Sequence, residues 1–224
     1  MIRIGTSGWK YKDWDGIVYP KPKPRGFDEL AYLAQYLNTI EINTSYYGPP
    51  RASSAKKWVD VAVGIGSPSI RAHIHTAANS RPNLQRTVDA LREVVKYSAG
   101  KNVIVTLEND DLVSEDAFFL VNVIESVNHP YLRALPDFAN SMLTGDADFN
   151  YRALQAMFQH AYNICHVKDG EADDHGKQFN IDLLKSFQIL KSSGYRGYCS
   201  MEFDAPGDPY AATTKLVEQT IRYL

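Results

Sequence analysis

The stretch NVIVTLENDDLVSEDAFFLVNVIESVNHPYLRALPDF, residues 102–138, contains a complete strand–helix–strand unit. An apolar run at 102–109 is followed by a segment of helical periodicity at 115–127 and by a second apolar run at 132–138. Short apolar runs joined by a helical crossover are typical of parallel strands in α/β proteins. The stretch therefore predicts an α/β fold with a parallel sheet.

The same alternation extends along the whole chain in both directions. It predicts seven strands, at residues 2–7, 39–45, 70–76, 102–109, 132–138, 163–169 and 197–203. It predicts helices at residues 26–37, 51–64, 80–98, 115–127, 150–161, 180–193 and 209–223. A closed (β/α) barrel usually has eight such units in about 250 residues. With seven units, we expect a TIM-type barrel that is incomplete or open, or that a partner chain completes.

Capping residues mark several predicted helix ends. Ser80, which precedes Pro82, and Ser114, which precedes two acidic residues, are expected to cap the third and fourth helices. Gly100 and Gly194 each follow a helical run, so we expect both to adopt the left-handed conformation that commonly ends a helix.

The composition is that of one globular domain spanning residues 1–224. The chain has 44% apolar and 22% charged residues and a formal net charge of −2. This charge gives no electrostatic reason to expect nucleic acid or an anionic membrane as the main partner, so a small molecule is favoured. No apolar run approaches the roughly 20 residues that span a bilayer, and the N-terminus is strand-like, so we expect a cytoplasmic protein. The sequence also allows a homo-oligomer.

Four polar residues stand at the ends of the later predicted strands. They are Glu108, Asp137, His166 and Glu202, and each follows an apolar run and precedes a polar loop. Their separations are 29, 29 and 36 residues, each about one strand–helix unit. Because barrel active sites are assembled at the carboxyl ends of the strands, we expect all four on one rim.

Three carboxylates and an imidazole on one rim would repel one another without a cation, because uncompensated buried charge is costly. A bound divalent ion resolves this conflict. The oxygen-rich ligand set suits Mn²⁺, Mg²⁺, Co²⁺ or Zn²⁺, and the sequence does not choose among them. Any one of these residues alone would more often be a helix cap, a surface carboxylate or a satisfied histidine, so the hypothesis depends on all four occurring in register.

Residues near the third predicted strand are candidates for contacting a substrate. His73 and His75 alternate along this strand and therefore share a face, and interior packing with hydrogen bonds explains them equally well. Arg71 has the same parity and could bind an anionic group.

Three further positions are weaker candidates. Lys168 fits a salt bridge better than a Schiff base, because Asp169 is adjacent to it. Trp9, Tyr46 and Tyr47 could wall a pocket by stacking on sugar C–H faces, although tyrosines after a strand are commonly packing residues.

The second part of the chain, from Trp58 to Leu224, resembles the xylose isomerase-like barrels, a superfamily of sugar isomerases, sugar epimerases and endonuclease-IV-like enzymes. The matching stretches are WVDVAVGIGSPSIRAHI (58–74), VIVTLEN (103–109), PDFAN (136–140), ICHVKD (164–169) and GYRGYCSMEFDAPGDP (194–209). The resemblance implies that the metal ligands are Glu108, Asp137, His166 and Glu202. It further implies that Glu108 and Glu202 act as acid and base, and that Lys168 and Asp169 match a lysine–aspartate pair of the family.

The first part, residues 2–60, instead resembles the YecE-like barrels, whose function is not established. The resemblance rests on IGTSGWKYKDWDGIVYP (4–20), TIEINTSYYGPPR (39–51) and KKWVD (56–60). The next element of that pattern, a strand with proline, phenylalanine and lysine, is missing, and the chain passes into the isomerase-like pattern near residues 55–62. Natural or engineered recombination of two barrels would explain the missing unit.

These features predict metal-assisted proton transfer next to a carbonyl, on a small keto sugar or hydroxy acid. The base must reach carbon, so Glu108 and Glu202 cannot both be locked in two-oxygen chelation. One alternative is a recombined or designed barrel scaffold without activity. Metal-dependent phosphodiester hydrolysis is less favoured, because the chain has only six histidines and no basic groove signature.

Overall fold

Nine strands and seven helices follow one another along the chain in the computed structural model, which describes residues 5–7, 14–33, 35–36, 39–41, 52–74, 76, 80–173, 175–203 and 207–224. The strands are β1 (Gly5–Ser7), β2 (Thr39–Glu41), β3 (Ser69–Ala72), β4 (Ile104–Glu108), β5 (Leu132–Leu135), β6 (Ile164–Val167), β7 (Gly170–Ala172), β8 (Gln178–Asn180) and β9 (Tyr198–Met201). The helices are α1 (Glu29–Leu33), α2 (Ala52–Ile65), α3 (Leu84–Ala99), α4 (Ala117–Val127), α5 (Ala147–Phe158), α6 (Leu183–Ser192) and α7 (Pro209–Tyr223), with a 3₁₀ helix at Asn140–Thr144.

Seven of the strands correspond to the seven predicted units. Parallel pairing joins β1 to β2, β3 to β4, β4 to β5, and β6 to β9. Isolated parallel bridges link the β5 region to the β6 region, and β1 lies beside β9. The resulting strand order is β2–β1–β9–β6–β5–β4–β3, with a helix after each strand or strand region. Completion of the barrel by a further strand or by a partner chain stays a prediction.

An antiparallel hairpin formed by β7 and β8 interrupts the sixth unit. The predicted strand at 163–169 is therefore shorter than expected, and Gly170 begins the hairpin, where it pairs with Asn180. A Cβ atom at this position would lie 2.7 Å from the carbonyl oxygen of Phe179, so only glycine permits the close approach. The hairpin follows β6 and so brings its residues to the end of the sheet where the predicted site lies.

Two apolar clusters fill the space between strands and helices. The first joins β4 and β5 to helices α3, α4 and α5, and all five residues of β4 are buried, as expected for a parallel strand covered on both faces. The second surrounds Phe138, whose ring makes edge contacts with Phe158 and Phe187. Cys165 and Val167 belong to this cluster, so the intervening His166 faces the opposite side of β6.

The predicted amino-terminal caps of two helices are wrong. Helix α3 begins later than Ser80 because Asn83 is its cap, with a side chain that accepts from the backbone N–H of Arg86 at 3.0 Å. Helix α4 is capped by Asp116 instead of Ser114. The Ser114 hydroxyl instead donates to the Asp111 side chain.

The two predicted carboxyl-terminal glycines differ. Gly194 has φ of 73°, which confirms the left-handed conformation, whereas Gly100 is right-handed with φ of −65°. The left-handed turn after α3 occurs at Asn102 instead, with φ of 57°; asparagine tolerates this conformation. None of the described helices is both long and apolar enough to cross a bilayer.

Candidate metal centre

The four predicted ligands come together at the carboxyl ends of four neighbouring strands. Glu108 ends β4, Asp137 follows β5, His166 lies in β6 and Glu202 follows β9. Backbone hydrogen bonds tie these strand ends together: His166 N–H donates to Pro136, and Glu202 N–H donates to Val167. One ligand atom from each of the four side chains lies within 4.8 Å of all the others. The arrangement could hold a divalent metal ion, and the role of each side chain as a ligand remains a proposal.

The His166 ring nitrogen Nδ1 is the point on which the carboxylates converge. It lies 2.7 Å from Glu108 Oε1, 2.9 Å from Glu202 Oε2 and 3.9 Å from Asp137 Oδ2. This nitrogen carries at most one hydrogen, so it cannot donate to both glutamates in line. A cation among the four groups would bind all of them at once, including the lone pair of a neutral imidazole.

The two oxygens of Asp137 have different environments. Oδ1 accepts from the backbone N–H groups of Ala139 and Asn140 at 2.8 and 2.7 Å. Oδ2 is buried and has no hydrogen-bond partner among the described residues. Burial raises the pKa of Asp137 to about 6 even though the Lys168 ammonium opposes the shift. A buried carboxylate oxygen directed at other ligand atoms fits a metal ion, because such an oxygen is otherwise costly.

Asn109 brackets Asp137 from the end of β4. Its side-chain oxygen accepts from the Asp137 backbone N–H at 2.8 Å, and its amide donates to the Asp137 carbonyl at 3.2 Å. Asn109 is not among the site residues predicted from the sequence. Its position directly after Glu108, at the end of the same strand, could have indicated that it belongs to the site.

The buried Lys168 and the half-buried Arg71 balance part of the negative charge. Arg71 forms an ion pair with Glu108 Oε2, and Lys168 Nζ lies 3.4 Å from Glu202 Oε1. The described carboxylates that lie within 4.0 Å of His166, Arg71 or Lys168 are Glu108, Asp137, Glu171 and Glu202. If His166 binds an ion as a neutral imidazole, these four carboxylates and two cations leave two negative charges, which a divalent ion would neutralise.

The charges around Glu202 keep it ionised. Burial alone would raise the pKa of its carboxyl, but His166, Lys168 and Arg71 together outweigh burial and lower it. Its side chain is 28% exposed, whereas that of Glu108 is 1% exposed. Glu202 is therefore the more accessible of the two predicted acid–base residues.

Lys168 is buried, and its salt-bridge partners are Glu171 and Glu202 instead of the predicted Asp169. Its Nζ lies 2.9 Å from Glu171 Oε2 and 2.9 Å from Asn140 Oδ1. Burial would lower the pKa of this amine, but Asp137, Glu202 and Glu171 outweigh that effect and raise it. The lysine is thus an ammonium group held among carboxylates, and its predicted contact with a substrate remains untested.

His73 connects the end of the third unit to the start of α4. Its Nδ1 lies 3.0 Å from Glu115 Oε2 and 3.7 Å from Asp110 Oδ2, and Glu115 Oε1 accepts from the Ile74 backbone N–H at 2.5 Å. These contacts are what we expect if His73 is an interior residue held by hydrogen bonds. Substrate binding by His73 stays a prediction. The other predicted substrate residues, His75, Trp9, Tyr46 and Tyr47, lie outside the described residues.

One protein family matches the chain, over its first part only. It is described as "Protein of unknown function DUF72", and the match covers residues 3–64. The matched range, residues 3–64, is close to the first part of the chain defined above, residues 2–60. A comparison with curated proteins gives no match.

Solved structures of xylose isomerase-like proteins share the fold. A xylose isomerase domain protein from Planctomyces limnophilus is 25% identical, with a TM-score of 0.60, over 77% of this chain and 64% of its own. A 3-keto-D-glucoside 4-epimerase from E. coli is 14% identical, with a TM-score of 0.68, over 99% of this chain and 100% of its own. A xylose isomerase-like TIM barrel protein from Mycobacterium smegmatis, solved in complex with magnesium, is 14% identical, with a TM-score of 0.65, over 87% of this chain and 76% of its own.

The fold is therefore the α/β fold of the xylose isomerase-like TIM barrels, which confirms the predicted fold class. The chain spans less than two thirds of the Planctomyces limnophilus protein.

Proposed function

We propose that this protein is a metal-dependent isomerase or epimerase that moves a proton next to a carbonyl of a small keto sugar or hydroxy acid. The proposal rests on one observation above all, the convergence of Glu108, Asp137, His166 and Glu202 within 4.8 Å. It is supported by the sugar epimerase and the magnesium complex among the structural neighbours.

The proposed ligands are the three carboxylates and His166 Nδ1, for Mn²⁺, Mg²⁺, Co²⁺ or Zn²⁺. When bound, the ion would polarise the substrate carbonyl and acidify the adjacent C–H. Asp137 suits a purely ligating role, because its Oδ1 is fixed by two backbone N–H groups and only Oδ2 faces the cluster.

Glu202 is the better placed of the two residues proposed for proton transfer. Its partial exposure allows a substrate to reach it, and the neighbouring cations keep it ionised while also lowering its basicity. Glu108 has one oxygen at His166 and the other at Arg71. It can exchange a proton with a substrate only if Arg71 moves, and the displaced guanidinium could then pair with a carboxylate of a hydroxy acid.

The remaining predicted residues are proposed to contact the substrate as walls of the pocket. His73 and His75 are proposed on the side of β3, and Trp9 and Tyr46 are proposed as stacking surfaces for sugar C–H faces. Lys168 is proposed to orient a substrate oxygen.

A proton-exchange experiment tests the function. The protein is incubated with Mn²⁺ in D₂O with a panel of keto sugars and hydroxy acids, and deuterium at the carbon beside the carbonyl is followed by NMR. We expect exchange with the wild type, loss of exchange in Glu202→Gln, and unchanged exchange in Glu218→Gln, which alters an exposed carboxylate on α7. A wild type that binds Mn²⁺ but exchanges no proton in any member of the panel would refute the isomerase proposal.

The second candidate function is a recombined or designed scaffold without activity. It is favoured by the family match that ends at residue 64, near the change of pattern at residues 55–62. In that case the metal site can be intact while the pocket, which needs loops from both parts, binds no substrate. Mn²⁺ binding without any proton exchange is the result that this candidate predicts.

A further inference from the structure

The ammonium of Lys168 is held between two sets of partners at unequal distances. Glu171 Oε2 and Asn140 Oδ1 both lie 2.9 Å from Nζ, whereas Glu202 Oε1 lies 3.4 Å away. Two of the three ammonium hydrogens are thus used by the shorter hydrogen bonds, to Glu171 and Asn140. The third faces a proposed metal ligand across a longer gap.

Both members of the Lys168–Glu171 pair are buried, at 3% and 8% exposure. A buried ammonium must have a carboxylate partner, because leaving it without one is strongly unfavourable. If Glu171 were removed, the nearest remaining carboxylate would be Glu202. Lys168 would then pair fully with Glu202, neutralise it and draw its oxygen away from His166.

We infer that Glu171 is a positioning residue that restrains Lys168 and so keeps the Glu202 carboxylate available to a divalent cation. This inference rests on the proposed metal site. It assigns a purpose to the β7–β8 hairpin, because this hairpin carries Glu171.

The backbone around Glu171, Asn140 and Lys168 holds these three side chains in place. Glu171 is paired with Phe179 in the hairpin, and its second oxygen, Oε1, accepts from the Ala172 backbone N–H at 2.9 Å. Asn140 begins the 3₁₀ helix, where its own N–H donates to Asp137. Lys168 directly follows β6. Both oxygens of Glu171 are therefore occupied, and its carboxylate cannot follow the lysine toward Glu202.

The test is a double-mutant cycle on the full chain, with Mn²⁺ affinity measured by the electron paramagnetic resonance of the free ion. The variants are Glu171→Gln, Glu171→Asp, Lys168→Met and the double variant Lys168→Met with Glu171→Gln. We expect Glu171→Gln to weaken Mn²⁺ binding roughly tenfold, which is within the usual coupling of contacting charged residues. In the Lys168→Met background the same substitution should have no effect.

Glu171→Asp separates position from charge. Aspartate keeps the negative charge but is too short to reach Nζ in the same place, so we expect a loss of affinity close to that of Glu171→Gln. If Glu171 only stabilises the fold, replacing it should lower the thermal unfolding temperature in both lysine backgrounds. The effect of the replacement on Mn²⁺ affinity would then not disappear when Lys168 is replaced. Thermal unfolding is therefore measured beside each titration.

Three results would overturn the inference. Glu171→Gln and Glu171→Asp could bind Mn²⁺ as tightly as the wild type, or Glu171→Gln could weaken binding equally in both lysine backgrounds; either result removes the restraint and leaves the metal site standing. A wild type that binds no Mn²⁺ removes the metal site and the restraint together.

Discussion

Replacing Asp137 by asparagine should stabilise the metal-free protein and abolish metal binding. The amide has the shape of the carboxylate, and its oxygen can still accept from Ala139 and Asn140, which Oδ1 does at 2.8 and 2.7 Å. Its NH₂ group would take the place of Oδ2, the buried oxygen that faces the other ligands. The substitution thus removes the buried charge and puts a donor where a cation needs an acceptor.

The magnitude follows from the pKa of Asp137, which burial raises from 3.8 to about 6. This difference corresponds to a cost of up to about 3 kcal/mol for keeping the carboxyl ionised in the folded state. Below about pH 4 the group is protonated in both the folded and the unfolded states, and the cost is absent. It develops between about pH 4 and 6 and is complete above about pH 6, so wild-type stability falls relative to the variant as the pH rises.

Urea unfolding in EDTA at pH 4 and pH 7 measures this effect, and Mn²⁺ is then added at pH 7. We expect Asp137→Asn to have the larger free energy of unfolding at pH 7 in EDTA, with a thermal midpoint about 6–12 °C higher. Mn²⁺ should stabilise the wild type alone. The control is Asp148→Asn, which alters an exposed carboxylate on α5 and should change neither property. Destabilisation of Asp137→Asn at pH 7 in EDTA, or Mn²⁺ stabilisation equal to that of the wild type, would refute the reasoning.

Three further outcomes are expected. Glu202→Gln should weaken Mn²⁺ binding at least about tenfold, since it removes a charged ligand; calorimetric titration beside Glu218→Gln checks this, and equal affinities would count against the site. Mn²⁺ affinity of the wild type should be about tenfold lower at pH 5 than at pH 7, because protons compete for Asp137 with a pKa of about 6; a flat profile between these pH values would contradict it. Phe138→Ala should lower the free energy of unfolding by about 3–5 kcal/mol, because the ring is fully buried; urea denaturation measures it, and a loss below about 1 kcal/mol would show that the second apolar cluster does not depend on this ring.

The strand–helix order could be predicted because burial leaves a continuous apolar signal. β4 is buried along its whole length, and the sequence shows it as the run VIVTL before Glu108. The positions of the four proposed ligands followed from the same signal, since each stands where an apolar run ends. The β7–β8 hairpin had no such signal. Its two strands have three residues each and a mostly polar sequence, GEADDHGKQFN at 170–180.

The ion pairs could not be predicted from adjacency along the chain. Asp169 is next to Lys168, but both residues lie in the connection between β6 and β7, and the Lys168 ammonium pairs with Glu171 and Glu202 instead. Glu171 is three residues away, and the turn into the hairpin returns its carboxylate to the lysine. The pair between Arg71 and Glu108 depends on the register of β3 and β4, in which Arg71 is paired with Thr106. Sequence alone does not give this register.

The two cations of the site play different parts in the competition with a metal ion. Arg71 is paired directly with a proposed ligand, Glu108, so a metal that takes both oxygens of this carboxylate must displace the guanidinium. Lys168 is instead held by Glu171 and Asn140, which are not proposed ligands, and can stay where it is when Glu202 binds a metal. Metal affinity is therefore set by a difference between two sets of ion pairs. The hairpin lowers the cost on the Glu202 side. The cost on the Glu108 side remains, because the metal must displace Arg71 from Glu108, and the carboxylate of a hydroxy acid could then pair with the guanidinium.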